Sequence, residues 1–175
     1  MKAARAISGE IVLGKLLEKL MQILLENAGG QSGHLILASE GKLSVEASKQ
    51  IESQEISVLQ SLPIESCLPV SVINYVARTK ESLVLSDAKR EGNFSKDAYI
   101  KKHQTKSILC APLVNQGQLV SIVYLENNLS EGAFTRERLE VVKVLSSQAA
   151  ISLENARLYA SLETKVAERT QELSE

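Results

Sequence analysis

Between Ser8 and Gly29, apolar residues fall at Ile11, Leu13, Leu16, Leu17, Leu20, Ile23 and Leu24. Steps of three and four put them on one face of a helix. Ser8 is the expected N-cap and Gly29-Gly30 the stop. The pattern then changes to alternation. Gly33–Ala38 reads as a strand, Glu40-Gly41 as a turn, and Lys42–Ser48 as the return strand with Leu43, Val45 and Ala47 on the buried face. Ile56, Val58 and Leu59 suggest a short strand before Pro63. Val70–Thr79 is a helix with Val72, Ile73 and Val76 inward, and Ser82–Leu85 is a short strand. A polar loop spans 86–95, and a short helix follows at Asp97–Lys102. Lys106–Val114 and Leu119–Glu126 form a hairpin around the turn at 115–118.

From Thr135, a good N-cap, to Glu175 no Pro or Gly interrupts a helix-forming run. At about 1.5 Å per residue it reaches about 60 Å. A domain of this size cannot cover such a rod along its length. Val141, Val144, Gln148, Ile151, Asn155, Leu158 and Leu162 alternate steps of three and four, a heptad repeat with Gln148 and Asn155 as polar seam positions. Leu158, Leu162 and Val166 are separated by two successive steps of four, a stutter that locally unwinds a supercoil. Over 135–157 the stripe is expected to lie mainly on the domain's own sheet. Beyond Leu158 it thins through Arg169 and Leu173 to one residue per turn, which suits a two-stranded coil. The order of elements, with hairpins and no regular βαβ alternation, predicts an α+β fold with a central antiparallel sheet.

The balance of charge narrows the function. The net charge is -1, so neither nucleic acid nor an anionic membrane is an expected partner. No apolar run reaches the roughly 18 residues of a membrane span, and Glu10, Lys15, Glu18 and Lys19 break the first segment as no secretory signal is broken. Aromatics make up 3% of the chain, so the core must be aliphatic. The 2 cysteines, Cys67 and Cys110, sit among apolar residues and make neither a disulfide framework nor a zinc site. They read as reduced thiols, and the cytoplasm is the expected location. His34 and His103 suggest no metal site, and Lys101, Lys102 and Lys106 read as a solvated patch.

Residues 71–159 resemble a GAF domain. The most specific stretches are SILCAPLVNQGQLVSIVYLEN, similar to the family's central strand pair, and FTRERLEVVKVLSSQAAISLENARLY, similar to its exit helix. The tail KVAERTQELSE resembles the linker that precedes histidine-kinase or PAS modules. The whole resembles GAF domains of bacterial multi-sensor signal transduction kinases that join Ser/Thr- and histidine-kinase parts. The resemblance implies a sheet of five to six strands, with the N- and C-terminal helices on one face and short helices and loops on the other. It divides the chain into an N-terminal helix (1–30), a GAF core (31–134) and a C-terminal helix and coiled-coil linker (135–175).

The same resemblance raises three ligand classes. Covalent bilin attachment needs a cysteine where Ser95-Lys96 stand, so none is expected. Asn93, Phe94 and Asp97 look like a fragment of a cyclic-nucleotide signature, but their spacing is that of a turn followed by a helix cap, and no cyclic nucleotide is expected. Free methionine sulfoxide reduction needs thiols that reach one another, and this chain's two have unmatched surroundings. No cofactor is expected. An unidentified small molecule would be met by Tyr75, Arg78, Phe94, Tyr99, Ile108, Cys110 and Tyr124, on the elements flanking the family's cavity. The expectation is therefore a non-catalytic sensory GAF domain of a two-component phosphorelay kinase. It would form a parallel homodimer through Val141, Val144, Gln148, Ile151, Asn155, Leu158, Leu162 and Val166, and relay ligand or domain contacts to a following histidine-kinase or PAS module in the same chain. The alternatives are a purely structural dimerisation domain and a small GAF enzyme such as a free methionine sulfoxide reductase.

Overall fold

Six strands form one antiparallel sheet in the order β3-β2-β1-β6-β5-β4. The computed structural model describes residues 2–52 and 56–174, with side-chain detail from residue 14 onward except at 53–61, 153, 160, 163, 164 and 171–175. The stripe positions expected at Ile11 and Leu13, and the seam position at Leu173, lie outside the described side chains, while the short strand expected at Ile56, Val58 and Leu59 is present as Ile56–Pro63. The elements are α1 (Lys2–Ala28), β1 (Ser32–Ser39), β2 (Lys42–Gln50), β3 (Ile56–Pro63), α2 (Val70–Thr79), β4 (Leu83–Leu85), α3 (Ala98–His103), β5 (Ser107–Asn115), β6 (Gln118–Asn127) and α4 (Arg136–Ser174).

Alternation along the strands sends side chains to two separate cores. On one face, Leu35, Leu37, Leu109, Ala111, Val123 and Leu125 meet Leu17, Met21, Leu24 and Leu25 of α1 and Val142, Ala149 and Ala150 of α4. On the other, Ile36, Val45, Ile108, Cys110, Ile122 and Tyr124 meet Val72, Ile73 and Val76 of α2, Ile100 of α3 and the connecting segment at Ile64 and Leu68. The periodicity thus placed the α2 face correctly. Each fully buried Leu, Ile or Val contributes about 1.5–3 kcal/mol relative to exposure.

Glycines let α1 end and dock. Gly29 has φ +75° and its N–H donates to the Leu25 carbonyl (3.2 Å), closing the helix in the left-handed conformation that glycine adopts without strain. A Cβ on Gly33 would lie 2.8 Å from Met21 Cε and 3.0 Å from Leu125 Cδ2, so the bare backbone of β1 is what α1 rests on.

Two sequence expectations are corrected. Ser8 is not a cap: α1 begins at Lys2 and runs through it. The stretch Lys2-Ala3-Ala4-Arg5-Ala6 consists of strong helix formers, which carry the helix past a residue that merely tolerates it. The polar loop at 86–95 is in fact two short 3-10 turns, Ala88–Arg90 and Gly92–Lys96. Ser95 and Lys96 lie in the second of them.

The linker between α2 and α3 is held by one carboxylate. Asp97 Oδ1 accepts from the Tyr99 N–H (2.8 Å), capping α3, as the turn-and-cap reading of this segment expected. Asp97 Oδ2 accepts from both the Ser71 N–H (3.0 Å) and the Ser71 hydroxyl (2.6 Å) in the first turn of α2. The residue preceding α2 is Pro69, which offers no side-chain cap. Asp97 supplies that cap from 26 residues away.

Candidate functional site

An open cleft of about 1190 Å³ lies at the end of the sheet where the β1–β2 and β5–β6 hairpins turn. Its walls are the β1–β2 turn (Ala38–Gly41), the outer face of α2 (Ser71, Asn74, Tyr75, Arg78), the 3-10 turn (Asn93, Phe94) and the β5–β6 hairpin (Gln118, Leu119). Leu43 and Leu83 also line it. Three of the seven expected ligand residues, Tyr75, Arg78 and Phe94, meet here. Tyr75 and Phe94 pack edge to face, with ring centroids 5.6 Å apart and planes at 87°, a preferred aromatic geometry. The Arg78 guanidinium carbon lies 6.0 Å from the Tyr75 ring centre, at the limit of a cation–π contact. Lys80 spans the rim and donates to the Gly117 carbonyl (2.8 Å). The wall thus offers two aromatic rings, two cations, three side-chain amides and an apolar floor, which suits a small, partly polar organic molecule.

The other four residues lie elsewhere. Ile108, Cys110 and Tyr124 are all fully buried in the core beneath α2 and α3. Tyr99 is on α3, where its ring packs at a tilt of 41° against that of His103 with centroids 4.3 Å apart. What joins Tyr99 and Tyr124 is Glu126, which is 6% exposed. Its carboxylate accepts from the Tyr124 hydroxyl (2.7 Å), the Tyr99 hydroxyl (3.3 Å) and the Asn128 side-chain amide (3.1 Å). Burial first, and the neighbouring Glu126 charge second, push both phenols above their ordinary range. Both therefore stay protonated donors, and the network pins α3 to the sheet. Sequence reading missed Glu126 as a partner, although Tyr124 and Glu126 lie two apart on one strand and so share a face. The turn residues Ala38–Gly41 and Leu119 were missed as cleft walls because turn chemistry does not say what a turn faces.

Neither thiol is set up as a nucleophile. Cys110 is fully buried and Cys67 half-buried, and burial pushes both thiols upward. A thiol so raised is little ionised near neutral pH, and the thiolate is the reactive form.

His34 lies on β1 opposite Tyr124, with its Nδ1 2.8 Å from the Ser48 hydroxyl. Burial lowers its pKa from 6.5 to about 4. An unfolded His34 therefore takes up a proton that the folded one refuses between these values. The associated stability is full above pH 6.5 and is lost as the pH falls from there through about 4. We expect wild type to lose about 2 kcal/mol more than His34→Gln between pH ~7.5 and pH ~4.5. Urea unfolding at the two pH values checks this, and parallel losses in both proteins would refute it.

On α4 the heptad positions do not face the sheet. Val142, Ser146, Ala149 and Ala150 are buried against it, with Leu139 and Leu145 half-buried beside them. Val141, Val144, Ile151, Leu158, Leu162 and Val166 are 40–62% exposed, and Gln148 and Asn155 are exposed with them. Two faces of one helix are thus apolar, one used inside the domain and one open to solvent. α1 lies along α4 within the same chain. No helix among the described residues is long and apolar enough to cross a membrane.

Comparison with known proteins places this geometry. The family model for the GAF domain matches residues 13–153. The chain is 53% identical over 90 residues to hybrid signal transduction histidine kinase G of Dictyostelium discoideum, an alignment covering 51% of this chain and 3% of that protein. It is 25% identical over 163 residues to the peroxide stress-activated histidine kinase mak3 of Schizosaccharomyces pombe, covering 91% of this chain and 7% of that one. The chain thus spans a small fraction of these relatives' length, and neither relative is bacterial. Among solved structures, the GAF domain/HD domain protein from Geobacter sulfurreducens superposes with a TM-score of 0.66 at 13% identity, over 83% of this chain and 94% of that one. A type II free methionine-R-sulfoxide reductase from Thermoplasma acidophilum superposes with a TM-score of 0.60 at 14% identity, over 84% and 96%. At these identities the structures speak for the fold alone.

Proposed function

Because the chain belongs to the GAF domain family, we propose that it is a non-catalytic regulatory module of a histidine-kinase signalling protein, dimeric through α4, that passes the state of its cleft to a following kinase or PAS module. The observation that carries this reading is the solvent-facing stripe from Val141 to Val166. An exposed apolar row at heptad spacing is expensive unless a partner covers it, and a second copy in parallel presents a matching row. The stutter after Leu158 adds a place where two packings of similar energy can exist. The histidine-kinase relatives support the kinase context. The cleft, lined by Tyr75, Arg78 and Phe94, is the place for a small-molecule effector, which acts only by binding two states of the module unequally.

The reductase alternative is disfavoured by the two raised thiols. The structural alternative, a dimer with no ligand, is separated by experiment. Native mass spectrometry of the gently purified protein should show a dimer carrying one small molecule per protomer. A monomer at tens of micromolar would overturn the dimer. A ligand-free dimer that no metabolite in a panel stabilises thermally would leave the structural reading.

A further inference from the structure

Cleft and stripe meet at one bond. α4 leaves the domain at the same end of the sheet as the cleft: from Leu158 to Thr170 the described side chains are exposed, save the half-buried Ala167. One residue before that point, the Arg157 guanidinium donates to the Ala38 carbonyl (3.2 Å), across 119 residues of sequence. Ala38 belongs to the cleft wall, at the base of the Glu40-Gly41 turn. The β1–β6 ladder ends at Leu37, so beyond it the tip of the β1–β2 hairpin has no strand holding it from that side. Glu154, one turn earlier on α4, lies 3.8 Å from the same Arg157 nitrogen and orients the side chain. Both side chains are only partly exposed, at 29% and 35%.

We infer that Arg157 is the clamp through which the β1–β2 hairpin, and hence the occupancy of the cleft, sets the position of α4 just ahead of its stutter. Any occupant that presses on Ala38–Gly41 moves the carbonyl to which α4 is tied. A planar guanidinium with fixed donors transmits that displacement directionally, whereas a flexible ammonium holds it loosely. The stutter begins one residue later, at Leu158, so a small shift is delivered where the supercoil is least committed. This inference rests on the relay reading above.

The test introduces a wedge in place of the unidentified effector. Ser39 is exposed and lines the cleft. Ser39→Trp adds an indole at the cleft mouth, and the chain has no tryptophan of its own, so fluorescence reports its burial. Amide hydrogen exchange over 158–170 is then followed in the full 175-residue chain, with and without the wedge, in Arg157, Arg157→Ala and Arg157→Lys backgrounds. With arginine the wedge should alter exchange about fivefold, the scale for groups coupled through one shared hydrogen bond. With alanine that response should vanish, and with lysine it should return in part. A merely structural Arg157 would shift the baseline of each variant but leave the response to the wedge unchanged. An equal response in all backgrounds would overturn the clamp and leave the relay standing by another route. No response in any background would overturn the clamp and the relay together.

Discussion

Replacing Leu158 and Leu162 together by glutamate should make the protein monomeric without unfolding it. Both side chains are more than half exposed in the protomer, at 58% and 59%, so the domain's own core does not need them. In a parallel dimer four leucines leave the seam and four charges enter it. Each buried leucine contributes about 1.5–3 kcal/mol, so even after allowing for partial burial the loss exceeds about 4 kcal/mol, or about a thousandfold in Kd. Sedimentation equilibrium measures this directly. The unfolding free energy of the protomer should change by no more than about 0.5 kcal/mol, as for other surface substitutions. A double variant that remains dimeric would show that the stripe is not the interface. Ala149→Glu provides the contrast, because Ala149 is 3% exposed and faces the sheet. That substitution should damage the fold itself.

Asp97→Ala should cost about 3 kcal/mol, a large effect for a surface-linker residue. One N-cap is worth about 0.5–2 kcal/mol. Asp97 acts at two helices and accepts a charge-assisted bond from the Ser71 hydroxyl at 2.6 Å. Its negative charge also lies at the positive end of both α2 and α3. Asp97→Asn keeps an acceptor and loses the charge, so it should cost about 1 kcal/mol. Urea denaturation with an unchanged m-value is the measurement. A loss below about 0.5 kcal/mol for the alanine variant would mean that solvent replaces the cap at no penalty. The effect should extend to the cleft, because Tyr75 lies one turn beyond Ser71 and Phe94 three residues before Asp97. Loosening that staple should part the edge-to-face pair.

What the sequence determined by itself was everything governed by local periodicity. The three-and-four spacing of α2 identified Val72, Ile73 and Val76 as its buried face, and all three are fully buried. Strand alternation with turn residues located β1, β2, β5 and β6. The heptad spacing of α4 picked out a row of residues, but the structure leaves its 141–155 part facing solvent rather than on the sheet. The reason is that a helix that packs on a sheet and also carries a second apolar row must present the two at different angles.

Tertiary structure alone decided what depends on contacts between distant segments. Of the seven residues grouped as a ligand set, three share the cleft and four do not. Flanking the same cavity in a family resemblance does not say which way a strand residue points. Cys110, Ile108 and Tyr124 are on the core-facing side of central strands, where alternation buries them. Nothing local in Glu126 shows that two tyrosines from different elements will donate to it, or that Asp97 will cap a helix 26 residues back. The bond from Arg157 to Ala38 is the extreme case. Its partner is a backbone carbonyl, a group every residue carries, so no side-chain pattern could have announced it. Only the folding of the β1–β2 hairpin against the emerging helix brings the two together.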